Sequence, residues 1–313
     1  MQLLFLGTGG GMPSKERNTS ALAMKLLEER GAVWLFDCGE ATQHQILRTT
    51  LKPRKIEKIF ITHMHGDHIF GLPGLLGSRS FLGGSEPLTL YGPKGLEEWV
   101  LATLRLSRTH LSYPLEFVEA EDGVVFEDDM FSVEAHLLEH VIPCYGYRIR
   151  QKPLPPVLLA EKARELGVPK GPLLGRLKNG EDVTLENGVI IRSAEVTAPG
   201  KDGFTVAILG DTRYTEAAVK LARNADVLVH EGTFDQTTAD LARDYGHSTV
   251  KEAAETARQA GAKALIINHL SARFLPSDHR ELLGEAGSVF NPVYIAEDFR
   301  EFYWNKDRLL PDE

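Results

Sequence analysis

The chain has 313 residues, of which 42% are hydrophobic and 25% charged, as expected for a globular protein with one large domain or two ordinary ones. No apolar run reaches the roughly 18 residues of a membrane span, and the first residues lack a signal peptide's basic segment, so we expect neither feature. Two cysteines are too few for a disulfide scaffold, which predicts a cytoplasmic location, and the net charge of −9 argues at first against a nucleic-acid partner.

Short apolar runs with β-branched or aromatic residues predict strands along the whole chain. They lie at residues 3–6, 32–36, 59–61, 88–91, 131–133, 204–209, 227–229, 265–267 and 293–295. Helical patterns lie between many of them, at residues 41–47, 95–106, 216–222, 248–259 and 278–285, with Ser248 and Asp278 as expected N-caps. The elements fall into two halves, one before about residue 145 and one after about 190, and this order predicts an α/β fold with two sheets packed face to face and helices outside.

The densest cluster of chemical groups follows the strand at residues 59–61. His63 and His65 are alternate residues at an extended strand end, so both can point at one cation. After the next glycine turns the chain, Asp67 and His68 can face a second cation beside the first. Neutral imidazole nitrogens and carboxylate oxygens are the atoms that a zinc-like ion binds, so the pattern indicates a metal site.

A site for two ions needs ligands from elsewhere in the chain, including one that bridges. His140, Asp211 and His269 are candidates, because each follows an apolar, strand-like run. The carboxyl ends of buried strands are the places where open α/β folds carry their chemistry.

One stretch, residues 151–188, breaks the pattern with prolines and glycines and lacks core-forming strands. From Arg148 to Gly180 the sequence has eight basic and only two acidic residues, a net charge of +6 on an otherwise acidic chain. Such a positive element suits a polyanion held at one place. We therefore expect a single domain with a protruding, partly ordered arm inserted at about residues 150–190.

The complete motif resembles a known family. His63, His65, Asp67 and His68, taken with the strand-end candidates, resemble the metallo-β-lactamase superfamily. Residues 13–18 (Pro-Ser-Lys-Glu-Arg-Asn), 230–234 (His-Glu-Gly-Thr-Phe) and 247–249 (His-Ser-Thr) are similar to three elements of the tRNase Z (ribonuclease Z) family, short form. The resemblance runs over essentially the whole chain, and Gly232 stands where that family more usually has alanine.

The resemblance implies an αβ/βα sandwich and a role for each matching residue. The two zinc ions would be held by His63, His65 and His140 at one position and by Asp67, His68 and His269 at the other, with Asp211 as the bridge. Asp67 would also accept a proton, and His247, oriented by Glu231, would donate one to the leaving oxygen. The residues expected to contact RNA are Lys15, Arg17, Arg148, Lys170 and Arg176.

The implied function is a zinc-dependent endoribonuclease that removes 3′ trailers from precursor tRNA, leaving a 3′-hydroxyl on the tRNA and a 5′-phosphate on the trailer. A homodimer, with the arm of one subunit serving the site of the other, is also implied. The residues alone leave open a general metal-dependent phosphodiesterase for small substrates, and they leave open manganese or another divalent metal in place of zinc. An RNA-binding protein with structural metals fits less well, because structural zinc sites are usually rich in cysteine.

Overall fold

A computed structural model describes residues 1–153, 156–198, 200, 202–305 and 308–312. Two residues of the predicted arm, Leu154 and Pro155, lie outside the described residues. The chain divides into two compact units. The main unit comprises Met1–Phe126, Val133–Ile149 and Thr205–Glu313, and the inserted unit comprises Glu127–Ser132 and Arg150–Phe204.

The described residues form strands along the whole chain. These are β1 Gln2–Gly7, β2 Gly9–Gly10, β3 Ala21–Leu26, β4 Ala32–Phe36, β5 Ile56–Phe60, β6 Leu88–Gly92, β7 Leu115–Glu119, β8 Gly123–Glu127, β9 Phe131–Leu138, β10 Cys144–Gln151, β11 Val157–Leu158, β12 Val183–Thr184, β13 Ile190–Ile191, β14 Thr197–Ala198, β15 Thr205–Ile208, β16 Val227–Glu231, β17 Leu265–Asn268, β18 Leu270–Ser271, β19 Val293–Ile295, β20 Glu301–Asn305 and β21 Arg308–Pro311.

The α-helices lie between the strands. They are α1 Thr42–Leu47, α2 Gly66–Ile69, α3 Leu72–Phe81, α4 Leu96–Leu106, α5 Ala160–Glu165, α6 Pro172–Lys178, α7 Ser193–Val196, α8 Glu216–Leu221, α9 Ala239–Tyr245, α10 Val250–Ala260 and α11 His279–Gly287. Among the described residues, no helix combines the length and the apolar character that a bilayer crossing requires.

Two large sheets organise the main unit. The first has the strand order β21-β20-β1-β3-β4-β5-β6-β7, and the second has the order β19-β17-β16-β15-β10-β9-β8. Strands β15, β16, β17 and β19 run parallel, so the carboxyl ends of β15, β16 and β17 meet at one edge. Strand β17 reads Leu-Ile-Ile-Asn and its first three residues are fully buried, as a parallel strand covered on both faces requires.

Aromatic side chains pack the two sheets against each other. Phe36 on β4 stacks on Phe60 on β5, with ring centroids 5.0 Å apart. Tyr147 on β10 of the second sheet lies 5.2 Å from the Phe60 ring, and its hydroxyl donates to the Ile61 carbonyl at 2.6 Å. These contacts place the strand that leads into the histidine motif directly against the second sheet.

The helix α10 covers the outer face of the second sheet. Thr249 is its N-cap, and its hydroxyl accepts a hydrogen bond from the Glu252 amide, while the Glu252 carboxylate accepts from Thr249. A face of buried alanines, including Ala253 and Ala257, then packs against the sheet. The N-cap is therefore Thr249 and not Ser248 as expected, because the Ser248 hydroxyl donates to the Thr212 carbonyl instead.

The inserted unit has a small apolar core of its own. Buried aliphatic side chains from α5, α6, α7 and the short strands form it: Ala163, Val168, Leu177, Val183, Ile191 and Val196. The unit reaches residue 204 and includes residues 127–132, so it is longer than the expected arm at 150–190. Its sequence has nine basic and ten acidic residues, and Arg176 pairs with Glu181 at 2.8 Å, so the predicted surplus of positive charge is offset within the unit.

The structure confirms the two packed sheets and outer helices, and each sheet takes strands from both halves of the chain. Strands β8, β9 and β10, all before or near residue 150, lie in the second sheet, and the carboxyl-terminal hairpin of β20 and β21 lies in the first. The order of the elements along the chain does not give the membership of each sheet, because the pairing of distant strands leaves no local pattern in the sequence.

Candidate metal centre

The centre lies where the strand ends of the two sheets meet. In the second sheet, β15 leads to Asp211, β16 ends at Glu231 and β17 leads to His269. In the first sheet, β5 leads into the segment that carries His63, His65, Asp67 and His68, whose last two members sit on the short helix α2. The fold thus brings together residues that lie more than 200 positions apart in the sequence.

The first group of possible ligands is His63, His65, His140 and Asp211. The His65 Nδ1 atom lies 3.0 Å from His63 Nε2 and 3.3 Å from His140 Nε2. The Asp211 Oδ2 atom lies 3.6 Å from His63 Nε2. Four donor atoms therefore converge on one small volume.

The second group is Asp67, His68 and His269. The two imidazole Nε2 atoms are 3.2 Å apart, and the Asp67 Oδ2 atom lies 3.4 Å from the first and 3.3 Å from the second. Asp211 Oδ2 lies 3.6 Å from His68 Nε2 and 3.4 Å from His269 Nε2. The same oxygen of Asp211 therefore faces both groups, as a bridging ligand must.

The donor set fits divalent metal ions. Ligand atoms about 2.0–2.2 Å from a tetrahedral ion are separated from one another by about 3.3 Å, and the distances above are 3.0–3.6 Å. The donors are imidazoles and carboxylates, which zinc, manganese and iron accept. Burial and the neighbouring His68 lower the pKa of His63, so its ring is neutral and can offer a lone pair.

Partners outside the two groups fix the imidazole orientations. The Asp37 Oδ2 atom lies 2.7 Å from His68 Nδ1, and Asp37 also accepts from the Thr62 amide and hydroxyl. His140 Nδ1 lies 2.7 Å from the Gly246 carbonyl oxygen, to which it donates. Such contacts hold each ring so that its other nitrogen points to the ion.

Glu231 and His247 form a hydrogen-bonded pair beside the second group. His247 Nδ1 lies 2.9 Å from Glu231 Oε1 and 3.8 Å from Asp211 Oδ2. Burial disfavours the charged form of His247, but the charge and hydrogen bond of Glu231, with Asp211 beyond, raise its pKa to about 9. His247 is therefore protonated near neutral pH and can give up a proton.

The predicted RNA contacts lie in different surroundings. Lys15 is exposed on the loop of residues 13–18, whereas Arg17 is 5% exposed and bonded inside the protein. Arg148 belongs to β10 of the main unit and not to the inserted arm as expected, and it donates to the Leu221 carbonyl at 2.7 Å. Lys170 and Arg176 are exposed residues of the inserted unit.

The sequence reading missed three contributions to the site. The Thr233 hydroxyl donates to Glu231 Oε2 at 2.7 Å and accepts from His269 Nδ1 at 2.9 Å. The Gly11 amide donates to Asp67 Oδ2 at 2.8 Å. A Cβ atom on Gly10 would lie 2.6 Å from the His269 ring, so only glycine fits there. Thr233 lies in the His-Glu-Gly-Thr-Phe segment, so position in that motif was the one available signal.

Comparisons with known proteins agree with this geometry. A family profile described as Anti-Pycsar protein Apyc1 matches residues 1–149, and the profile of the Beta-lactamase superfamily domain matches residues 178–270. Proteins named Ribonuclease Z from Bacillus cereus and Bacillus anthracis are each 57% identical to this chain over 303 residues, which are 96% of this chain and 99% of each relative.

Solved structures show the same fold over nearly the whole chain. The short form of human tRNase Z is 31% identical with a TM-score of 0.69, over 96% of this chain and 98% of that chain. The metallo-β-lactamase fold protein YhfI from Bacillus subtilis, 20% identical with a TM-score of 0.66, covers 96% of this chain and 97% of its own and shows the fold alone. With its histidine and aspartate cluster for divalent metal and this degree of identity, the chain belongs to the ribonuclease Z family of the metallo-β-lactamase fold.

Proposed function

We propose that this chain holds two zinc ions in its centre and uses them to remove 3′ trailers from precursor tRNA. Membership of the ribonuclease Z family makes it a metal-dependent endoribonuclease that processes the 3′ ends of tRNA. The observation that carries the proposal is the position of Asp211, whose Oδ2 atom lies 3.6 Å from His63 Nε2 and 3.4 Å from His269 Nε2. A carboxylate so placed suits two ions that share one ligand.

In this proposal the ligands are those that the resemblance implies. His63, His65 and His140 hold one ion, and Asp67, His68 and His269 hold the other, with Asp211 between them. Bound divalent ions lower the pKa of water toward neutrality and stabilise the extra charge on a phosphodiester under attack. The residues of the chain then supply orientation and proton transfer.

Asp67 suits the role of proton acceptor. Its Oδ2 atom accepts from the Gly11 amide and faces the His68 and His269 rings. Within the described part of the chain, no hydrogen bond engages its other oxygen, Oδ1, which is thus left to accept a proton. The reaction needs such an acceptor because the attacking water must lose a proton.

His247 suits the role of proton donor to the leaving oxygen. Its Nδ1 atom donates to Glu231, and among the described residues no hydrogen bond engages Nε2. The Glu231 carboxylate accepts hydrogen bonds from the Thr212 amide and from Thr233, so it holds the His247 ring in one orientation. The charge and hydrogen bond of Glu231 raise the pKa of His247, which favours the protonated form that a donor needs.

The substrate contacts, the dimer and the location stay predictions. Lys15 on the exposed loop, with Lys170 and Arg176 on the inserted unit, would meet RNA phosphates. The homodimer, in which the arm of one subunit serves the site of the other, is what the family resemblance implies. Both cysteines are free thiols, which agrees with the cytoplasm.

The test compares two substrates for the zinc-loaded protein. A precursor tRNA with a 3′ trailer should be cut to a tRNA with a 3′-hydroxyl and a trailer with a 5′-phosphate, and a chelator should stop the reaction. A small chromogenic phosphodiester serves as the second substrate. Hydrolysis of the small ester with no cleavage of the RNA would favour the general phosphodiesterase instead. The variant His110→Ala, at an exposed position outside the site, is the matched control.

A further inference from the structure

The loop of residues 13–18 is held from inside by Arg17. The Arg17 side chain is buried, and its Nη1 atom donates to the Thr8 hydroxyl and to the Ala296 carbonyl, both at 2.6 Å. Its Nη2 atom donates to His279 Nε2 at 2.8 Å. Three of its five N–H groups are thus engaged inside the protein and the residue is only 5% exposed, so Arg17 serves the protein interior.

His279 holds Arg17 through a single tautomer. A guanidinium only donates, so His279 Nε2 must be the acceptor and the ring proton must sit on Nδ1. The His279 Nδ1 atom lies 3.2 Å from Glu297 Oε1 and donates its hydrogen bond to that oxygen. Burial and the charge of Arg17 lower the pKa of His279, in agreement with a neutral ring. Arg17, His279 and Glu297 therefore form a directed chain.

The conformation of the loop depends on the fixed position of Arg17. The Ser14 amide donates to the Arg17 carbonyl at 2.8 Å and the Ser14 hydroxyl accepts from the Arg17 amide at 3.1 Å, which closes a tight turn. Lys15 is exposed at the tip of that turn. On its far side the Asn18 amide donates to Asp298 Oδ2 at 2.8 Å. The position of the Lys15 ammonium therefore depends on the anchor beneath it.

We propose that His279 is a positioning residue that holds Arg17 as a buried anchor, so that Lys15 alone of the two basic residues meets the phosphates of the RNA. This rests on the proposed role of the loop in binding precursor tRNA. The sequence had suggested neither part, since His279 lies in no motif and Arg17 was expected to touch RNA itself.

The test is a double-mutant cycle between His279 and Lys15 on the zinc-loaded protein. H279L removes the acceptor and should raise KM for precursor tRNA about tenfold, the usual effect of losing a hydrogen bond to a charged group, with kcat nearly unchanged. H279Q places an amide oxygen near the Nε2 position and should restore most of the affinity. In a K15A background, H279L should add less than about a twofold further rise in KM, because the two residues act through one contact.

Two further measurements and a replacement variant keep the result decisive. Zinc content and hydrolysis of the small phosphodiester should be unchanged in H279L, which shows that the variant is folded. Should H279L not fold, H279N replaces it, since its shorter amide cannot reach Arg17 Nη2. A KM effect that is absent, that H279Q does not reverse, or that is equally large in K15A would overturn the proposal. Failure of the wild-type protein to cleave precursor tRNA would instead overturn the proposed function.

Discussion

Glu231→Gln is the substitution that most sharply tests how Glu231 acts on His247 at the metal centre, by orienting its ring and by supplying a negative charge. The Glu231 carboxylate is buried and accepts four hydrogen bonds. Its Oε1 atom accepts from the Thr212 amide at 3.0 Å and from His247 Nδ1 at 2.9 Å. Its Oε2 atom accepts from the Thr233 amide at 3.0 Å and from the Thr233 hydroxyl at 2.7 Å.

Glutamine can accept these hydrogen bonds with only one of its two terminal side-chain atoms. Its single carbonyl oxygen accepts two of the four bonds, and its amide NH₂ then faces the remaining two partners. With the NH₂ on the Thr233 side, the Thr233 hydroxyl can rotate and accept from it, so one buried backbone N–H is left unpaired and the free energy of unfolding should fall by about 1–3 kcal/mol. His247 also loses its anionic partner, and cleavage should slow by roughly 10²–10⁴-fold, the usual contribution of general acid–base help.

The assay is urea unfolding of the zinc-loaded variant together with single-turnover cleavage of precursor tRNA. Glu139→Gln is the matched control, because that carboxylate is 60% exposed and pairs only loosely with Arg213 at 3.5 Å. The control should change the unfolding free energy by less than about 0.5 kcal/mol. If Glu231→Gln behaved like the control in both measurements, the orienting role of Glu231 would be refuted.

The remaining predictions concern the ions, the donor, the inserted unit and the pH. Asp211→Ala should lose most of both ions by metal analysis, and retention of both would remove it as the bridge. His247→Ala should keep its metal yet cleave roughly 10²–10⁴-fold slower, and a wild-type rate would end its role as donor. Lys170→Gln with Arg176→Gln should lower the slope of log affinity against log salt by about 2, and an unchanged slope would show that neither contacts phosphate. Burial lowers the pKa of His230, so below about pH 6.5 the unfolded chain binds a proton that the folded chain does not, and stability decreases toward acid. His230→Leu should therefore flatten the acid side of the stability profile in metal-free protein, and an unchanged profile would contradict this assignment.

The sequence brings out the residues of the histidine and aspartate cluster because their signals are local. His63, His65, Asp67 and His68 fall within six positions, and the other candidates close apolar runs that do form, or directly follow, strands. The fold class follows from the same alternation of strands and helices. Which strands share a sheet does not follow, because the pairing of β10 with β15 or of β1 with β20 joins residues far apart in the chain.

The bonding partners of the basic residues could not be predicted from the sequence for the same reason. The sequence suggests that Arg17 binds phosphate. In the structure it bonds instead to His279 and Ala296, which lie more than 260 positions away in the chain. The positive charge between Arg148 and Gly180 suggests an RNA-binding element, but acidic residues from both before and after it belong to the same unit. Local composition gives the charge of a segment, but it does not show which distant residues bond to that segment in the folded chain.

A zinc titration of metal-free protein shows whether two ions that share Asp211 are needed to cut precursor tRNA. Cleavage of a 3′-extended tRNA should be absent without zinc and should rise to a plateau at about two ions per chain. The products should then end in a 3′-hydroxyl on the tRNA and a 5′-phosphate on the trailer. Full activity at one ion per chain, or cleavage by the metal-free protein, would contradict the requirement for two ions.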